Sequence, residues 1–165
     1  MKNNNFVAII QARMGSTRLP RKSAKILGQS QIIDWVVKRV KKAKLLDDVI
    51  IATSKKKRDK IFSKIAKKNK IKIFYGSEEN VLKRIYDAGK KFNAKNIIRI
   101  CADSPFISPE FINNLILFYK NNNCDLAFNH TPFKKFKCID GLGAEIFSMK
   151  NFSTKKIRIT YFDPK

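Results

Sequence analysis

Short apolar runs alternate with amphipathic stretches along most of this 165-residue chain, and that alternation constrains the fold more than any other feature. Residues 6–10 are an unbroken apolar run bounded by polar residues, the pattern of a strand buried on both faces. Ser30 then precedes a predicted helix over 31–45 whose apolar face is Ile32, Ile33, Val36, Val37, Val40 and Ala43. A second buried strand falls at 49–52. A Lys-rich helix follows, with Ile61, Phe62, Ile65 and Ala66 on one face, and then a third strand at 71–74.

Ser77 is read as the cap of the next helix, with Glu78 and Glu79 in its first turn and Val81, Leu82, Ile85 and Tyr86 on its apolar face. Residues 97–101 form a fourth strand. Ser108-Pro109-Glu110 is a strong helix start, and Phe111, Ile112, Leu115, Ile116 and Tyr119 are its buried face. Weaker strands are expected at 126–128 and 144–147. The order βαβαβαβα, then β, loop, β predicts a three-layer α/β domain with a mostly parallel sheet and helices on both faces. No internal repeat or Pro/Gly/Ser-rich linker divides residues 1–165, so one domain is expected.

Composition narrows the classes. Lys and Arg total 36 against 13 Asp and Glu, a net charge of +23. The lysines are spread over most helices and loops, and no recognition helix, zinc finger or aromatic RNA-binding sheet motif accompanies them. Diffuse basic bias therefore leads, and no specific nucleic-acid partner is expected; a basic nucleic-acid-binding protein is the more distant alternative. The apolar runs fall far short of the ~18–20 residues that span a bilayer, and the amino-terminal residues lack a signal-peptide pattern. Three cysteines, no CxxC pair and the single His130 argue against a disulfide scaffold or a zinc site, so a cytoplasmic setting without a membrane partner is expected.

Twenty residues, 11–30, separate the first strand from the first helix. A loop of that length in a compact domain is usually functional, and here it follows the carboxyl end of a strand, where α/β sheets bind ligands. It begins Gln11-Ala12-Arg13-Met14-Gly15-Ser16-Thr17-Arg18-Leu19-Pro20-Arg21-Lys22. Arg13, Arg18, Arg21 and Lys22 place four cations within ten residues; Gly15 permits close backbone approach, and Ser16 and Thr17 offer hydroxyls. These are the parts of a polyphosphate cradle, although a merely solvated basic loop is the plainer alternative. The pattern is neither a Walker A loop nor a G-x-G-x-x-G turn.

The string QARMGSTRLPRK closely resembles the opening signature of the sugar cytidylyltransferases, nearest to the spore-coat-polysaccharide type and related to the CMP-ketodeoxyoctonate and CMP-sialate synthetases. Further segments match in order: Ile51-Ala52-Thr53-Ser54; Tyr75-Gly76-Ser77 with Val81-Leu82-Lys83-Arg84; the stretch from Arg99 through Asp103 to Ile107; and Asp140-Gly141-Leu142-Gly143-Ala144-Glu145. The resemblance implies a nucleotide-diphospho-sugar transferase fold, Rossmann-like and GT-A-like. It also implies transfer of CMP from CTP to an acidic or surface-polysaccharide sugar, with Mg²⁺ and release of pyrophosphate.

Carried over by position, the resemblance makes Lys22 and Arg13 the catalytic cations. Gln11, Ala12, Gly15, Ser16, Thr17, Arg18 and Ser77 become nucleotide-binding positions. Asp103 becomes the Mg²⁺ ligand, with a turn aspartate as its alternative, and Asp140 and Glu145 lie on the sugar side. The chain departs from the pattern at Arg21, where glycine is usual, at Ala102, at Asn80 in place of an acid, and at Gly143 in place of a second aspartate. His130 reads as a solvated loop histidine, Cys101 as a small core residue, and Trp35 as either a subunit contact or a partly buried core residue.

The ending Arg158-Ile159-Thr160-Tyr161-Phe162 resembles the start of the family's next segment, without its histidine. A cut chain, a natural short product and a frameshifted relic would all look like this. The expectation is thus a cytidylyltransferase or its nucleotide-binding part, with a catalytically weak nucleotide-binding remnant as the alternative. CTP and a sugar are the expected partners, and a homodimer is possible.

Overall fold

In the computed structural model, residues 5–15, 19–129, 141–152 and 158–162 are described. The elements run β1 (Phe6–Gln11), β2 (Ile26–Leu27), β3 (Ser30–Gln31), α1 (Ile32–Val40), β4 (Asp48–Ser54), α2 (Ile61–Lys68), β5 (Lys72–Gly76), α3 (Val81–Lys91), β6 (Asn96–Cys101), α4 (Pro109–Asn121), β7 (Leu126–Phe128), β8 (Glu145–Ser148) and β9 (Ile159–Tyr161). Seven strands form one sheet in the order β5-β4-β1-β6-β8-β7-β9, while β2 and β3 make a separate hairpin. β5, β4, β1 and β6 are parallel, and β8 pairs antiparallel with both β6 and β7.

The apolar runs explain the sheet. β1 lies between β4 and β6, and its side chains alternate between two buried faces. Phe6, Ala8 and Ile10 pack with Val36 and Val37 of α1, Phe62 of α2 and Ile112 of α4. Val7 and Ile9 pack on the opposite face with Ile85 and Ala88 of α3. The result is the expected three layers, with α1, α2 and α4 on one side of the sheet and α3 on the other. Ile9 and Ile10 are fully buried, so truncating either to alanine would cost about 2–5 kcal/mol.

Two helix starts differ from the sequence expectation. Ser30 does not cap α1: it pairs with Leu27 across the β2–β3 hairpin, and the helix begins at Ile32. That helix ends at Val40 rather than residue 45, although Ala43 still reaches the core from the following turn. Ser77 does not cap α3 either. Its hydroxyl accepts from the Asn80 N–H at 3.0 Å, and Asn80 itself caps the helix by accepting from the Lys83 N–H at 2.8 Å. The chain needs residues 77–80 to leave β5 and turn, so Glu78 and Glu79 precede the first helical turn. Ser108 does cap α4, accepting from the Phe111 N–H at 3.2 Å with Pro109 at the first position.

Candidate nucleotide site

Successive parallel strands move outward from β1 in one direction through β4 and β5, then cross to β6 on its other side. The crevice beyond the carboxyl ends of β1 and β6 lies at this change of direction, where open α/β sheets receive ligands. Gln11 and Cys101 are register partners at those ends. From there the chain supplies Arg13 and Lys22 on one side and Asp103 on the other. Gln11, Ala12, Arg13, Lys22, Arg84 and Asp103 line one cavity of about 310 Å³.

Lys22 Nζ lies 2.8 Å from Asp103 Oδ2, with the side chains 41% and 37% exposed. A pair this open to water contributes at most about 1 kcal/mol, so both groups remain available to a charged ligand. Lys22 opens a short 3₁₀ turn, Lys22–Ala24, directly after Arg21. Arg21 holds φ at +57°, the left-handed region where glycine is at ease, so the usual glycine at this position answers a backbone demand of the turn.

Gln11 is tied into the sheet end. Its amide donates to Cys101 Sγ at 3.2 Å and accepts from Arg99 Nε at 3.2 Å. Arg99 in turn grips both carboxylate oxygens of Glu145, at 2.7 and 2.6 Å. Burial pushes the Cys101 thiol upward, which keeps it protonated and inert at neutral pH. Glu145 therefore faces a different cavity, of about 400 Å³, which it shares with Arg99, Leu82 and Phe147. Val81 lines both cavities, so the two adjoin.

Ser77 is not among the residues lining the cavity of Lys22 and Asp103; its carbonyl accepts from Arg84 Nη1. Gly15 also lies outside that lining, against Arg58: a Cβ built on it would stand 3.0 Å from Arg58 Nη2. Ser16, Thr17, Arg18, His130 and Asp140 lie outside the described residues. Gly143 is a packing glycine here, since a Cβ on it would fall 2.6 Å from the backbone oxygen of Asn129. Asn129 is fully buried and accepts from the Ala144 N–H at 2.8 Å.

Three residues escaped the reading of the sequence. Arg84 is 1% exposed, donates to the carbonyls of Ser77 and Glu78, and has no partner on Nε among the described residues. Burial, and then the charge of Arg13, lower its affinity for its proton. Glu78 pairs with Arg58 and, at 3.8 Å, with Lys56. Asp59, fully buried, accepts from the Met14 N–H at 2.8 Å and from the Ser54 hydroxyl. The sequence signal for Asp59 was slight: it is a single acid inside the run Lys55 to Lys60, which looks like a solvated basic face.

Among the described residues, no group of three or more His, Cys, Asp or Glu side chains could hold a metal ion, and no helix is long and apolar enough to cross a membrane. A single carboxylate beside a phosphate cradle is nevertheless a donor set that suits Mg²⁺, which takes one or two carboxylates and completes its shell with substrate phosphates and water.

A mostly parallel sheet with basic side chains and the Asp103 carboxylate at its crossover point defines an α/β domain with a candidate ligand site there. The particular family follows from comparison with known proteins. A family model described as cytidylyltransferase matches residues 7–153. The chain is 37% identical over 129 residues to the spore coat polysaccharide biosynthesis protein SpsF of Bacillus subtilis, covering 76% of this chain and 54% of that protein. It is 32% identical over 142 residues to the 3-deoxy-manno-octulosonate cytidylyltransferase of Rickettsia bellii, covering 82% and 54%. A cytidylyltransferase structure from Leptospira borgpetersenii superposes with a TM-score of 0.87 at 25% identity, covering 98% of this chain and 76% of that one. A CMP:2-keto-3-deoxy-manno-octonic acid synthetase complexed with CTP shares the fold, with a TM-score of 0.77 at 16% identity over 97% of this chain and 90% of that one.

The chain belongs to the cytidylyltransferase family. Its fold is that of the nucleotide-sugar transferases. It spans about half the length of the curated relatives it matches.

Proposed function

We propose that this chain is the CTP-binding part of a sugar cytidylyltransferase, which transfers CMP from CTP to a hydroxyl of an acidic or surface-polysaccharide sugar. The observation that supports this most directly is the convergence of Arg13, Lys22 and Asp103 on one cavity at the crossover of a cytidylyltransferase-family sheet. In the reaction, a sugar hydroxyl oxygen bonds to the α-phosphorus of CTP and loses its proton to solvent water. The bond from that phosphorus to the bridging oxygen breaks, and pyrophosphate leaves with the electron pair. Charge grows on the leaving oxygens, and fixed cations aimed at them lower the barrier. Arg13 and Lys22 are those cations. Lys22 turns from Asp103 to phosphate, which frees the carboxylate.

Asp103 would hold Mg²⁺, which supplies charge neutralisation across the phosphates when bound. The adjoining cavity beside Arg99 and Glu145 is the acceptor side, because it meets the nucleotide cavity at Val81. Arg99 presents a cation there whose charge is balanced by Glu145.

Gly143 favours a second reading, a nucleotide-binding chain with little turnover. The position usually held by aspartate is closed to any side chain by Asn129. Pyrophosphate release with each of the four nucleoside triphosphates, Mg²⁺ and a panel of acidic sugars separates the readings. CTP-specific release that Asp103→Asn abolishes supports the enzyme. CTP binding by calorimetry without release supports the second reading, and equal binding of all four nucleotides removes the cytidine assignment.

A further inference from the structure

We infer that Asp59 is a positioning residue for the phosphate cradle, acting through the backbone of Met14. The inference rests on the nucleotide reading of that cradle and adds to it a group outside the loop. Cations placed close together on one stretch of chain repel one another, and each ordered residue costs conformational entropy. Something rigid must fix it if binding is not to bear that cost each time.

Asp59 has the geometry for this task. Met14 is buried, so its N–H needs an acceptor inside the protein. Asp59 Oδ1 accepts it at 2.8 Å, across 45 residues of sequence. The other carboxylate oxygen accepts the Ser54 hydroxyl at the carboxyl end of β4. Ser54 Oγ accepts in turn from the Lys56 N–H at 3.2 Å, which ties the segment after β4 to the same point. The carboxylate thus bolts the residue between Arg13 and Gly15 to the rigid sheet.

The same turn touches the loop from outside as well. Arg58, the preceding residue, stands against Gly15 and pairs with Glu78 from the β5–α3 connection. Residues 57–60 form a short 3₁₀ turn that presents the two side chains to the loop. With Met14 pinned, Arg13 emerges at the mouth of the cavity, and the Arg21 N–H bonds back to the Met14 carbonyl at 3.3 Å. Both sides of the Met14 peptide are therefore engaged, one toward Asp59 and one toward the Lys22 turn.

The test compares four forms of the full chain by calorimetric titration with CTP and Mg²⁺, with circular dichroism and urea unfolding alongside. Asp59→Ala leaves the Met14 N–H unpaired and should weaken CTP binding by about tenfold or more. Asp59→Asn retains an acceptor for that N–H and should stay within about threefold of the unchanged protein. Ser54→Ala removes the second carboxylate bond and the bond from the Lys56 N–H but leaves the Met14 N–H held by Asp59; it should lower stability while largely keeping affinity. Binding losses that simply follow the stability losses across the three variants would overturn the inference, as would wild-type affinity in a folded Asp59→Ala.

Amide hydrogen exchange at Met14 in the unchanged protein gives a readout that needs no variant and no nucleotide. Slow exchange before any ligand is added is the expected result. Rapid exchange that becomes protected only with CTP would show that the ligand, not Asp59, orders the loop. If the unchanged chain binds no CTP at all, the nucleotide reading fails, and Met14 exchange still decides the positioning claim by itself.

Discussion

Arg21 stands in a conformation that its side chain disfavours. A left-handed backbone crowds Cβ against the following carbonyl, at a cost of about 1–2 kcal/mol for most residues. Replacing Arg21 by glycine releases that strain and regains a smaller loss in chain entropy, for a net gain of about 0.5–1 kcal/mol. Urea unfolding should show a higher midpoint at unchanged slope. If affinity for CTP falls at the same time, the guanidinium itself contacts phosphate. Gly143 is the opposite case. Gly143→Asp matches the usual family residue, yet its Cβ would meet the Asn129 backbone at 2.6 Å. Such overpacking costs about 1–3 kcal/mol, so Gly143→Asp should destabilise the protein and fail to raise pyrophosphate release. A more active variant of equal stability would show that the Asn129 segment yields easily.

At the scale of elements, α1 and α2 are joined by one buried carboxylate. Asp34 is 1% exposed and accepts from Lys68 Nζ and from Asn69 Nδ2, each at 2.8 Å. Burial by itself raises its proton affinity, but the Lys68 and Asn69 bonds together with the nearby charges prevail, and the carboxyl sits below its ordinary value. A depressed folded pKa makes the contribution complete above the unfolded value near 4. It is lost as pH falls through the folded value. Asp34→Asn should therefore lower stability at pH 7 by about 1–3 kcal/mol and flatten the decline below about pH 4. Parallel acid-unfolding curves for the two proteins would sink this assignment. The hairpin of β2 and β3 shows a different tie: the indole N–H of Trp35 donates to the Leu27 carbonyl at 2.8 Å, which fastens the far end of the long loop to α1.

For the molecule as a whole, the question is whether +23 acts as a diffuse field or through placed cations. Lys22→Ala and Lys64→Ala each remove one charge. Lys22 lines the cavity, while Lys64 lies exposed on α2. A diffuse field would make the two variants alike, both losing CTP affinity similarly as salt screens it. The cradle predicts a loss of about tenfold or more for Lys22→Ala at every salt concentration and little for Lys64→Ala. Matching titrations would return the loop to a merely solvated basic segment.

The apolar alternation was legible because a strand buried on both faces must be apolar throughout, and a helix on a sheet must repeat every 3.6 residues. Those are local rules, and β1, most of β4 and β6, and the faces of α1 to α4 obey them, while β5 is a half-buried edge strand. The Ser108 start of α4 was legible for the same reason. The family resemblance singles out Arg13, Lys22 and Asp103, and the fold brings the three to one cavity. What local pattern could not supply was partnership across the chain. Ser30 and Ser77 looked like caps, but a hydroxyl within reach of two N–H groups is assigned by the path of the backbone. Asp59 looked solvated because its neighbours are lysines; it is buried because the end of β4 and Met14 close over it. The pairing of Glu145 with Arg99 follows from the antiparallel register of β8 on β6, which no local pattern shows. Arg84 stands in a segment that the resemblance matches, but its burial against Gly76 and its bonds to the carbonyls of Ser77 and Glu78 are tertiary facts. By itself the sequence determined the layers, the helix faces and the cationic loop, since each depends on neighbours a few residues away. Only the tertiary structure decided which groups each carboxylate meets, since the partners of Asp59 and Glu145 are brought to them from 40 residues or more away.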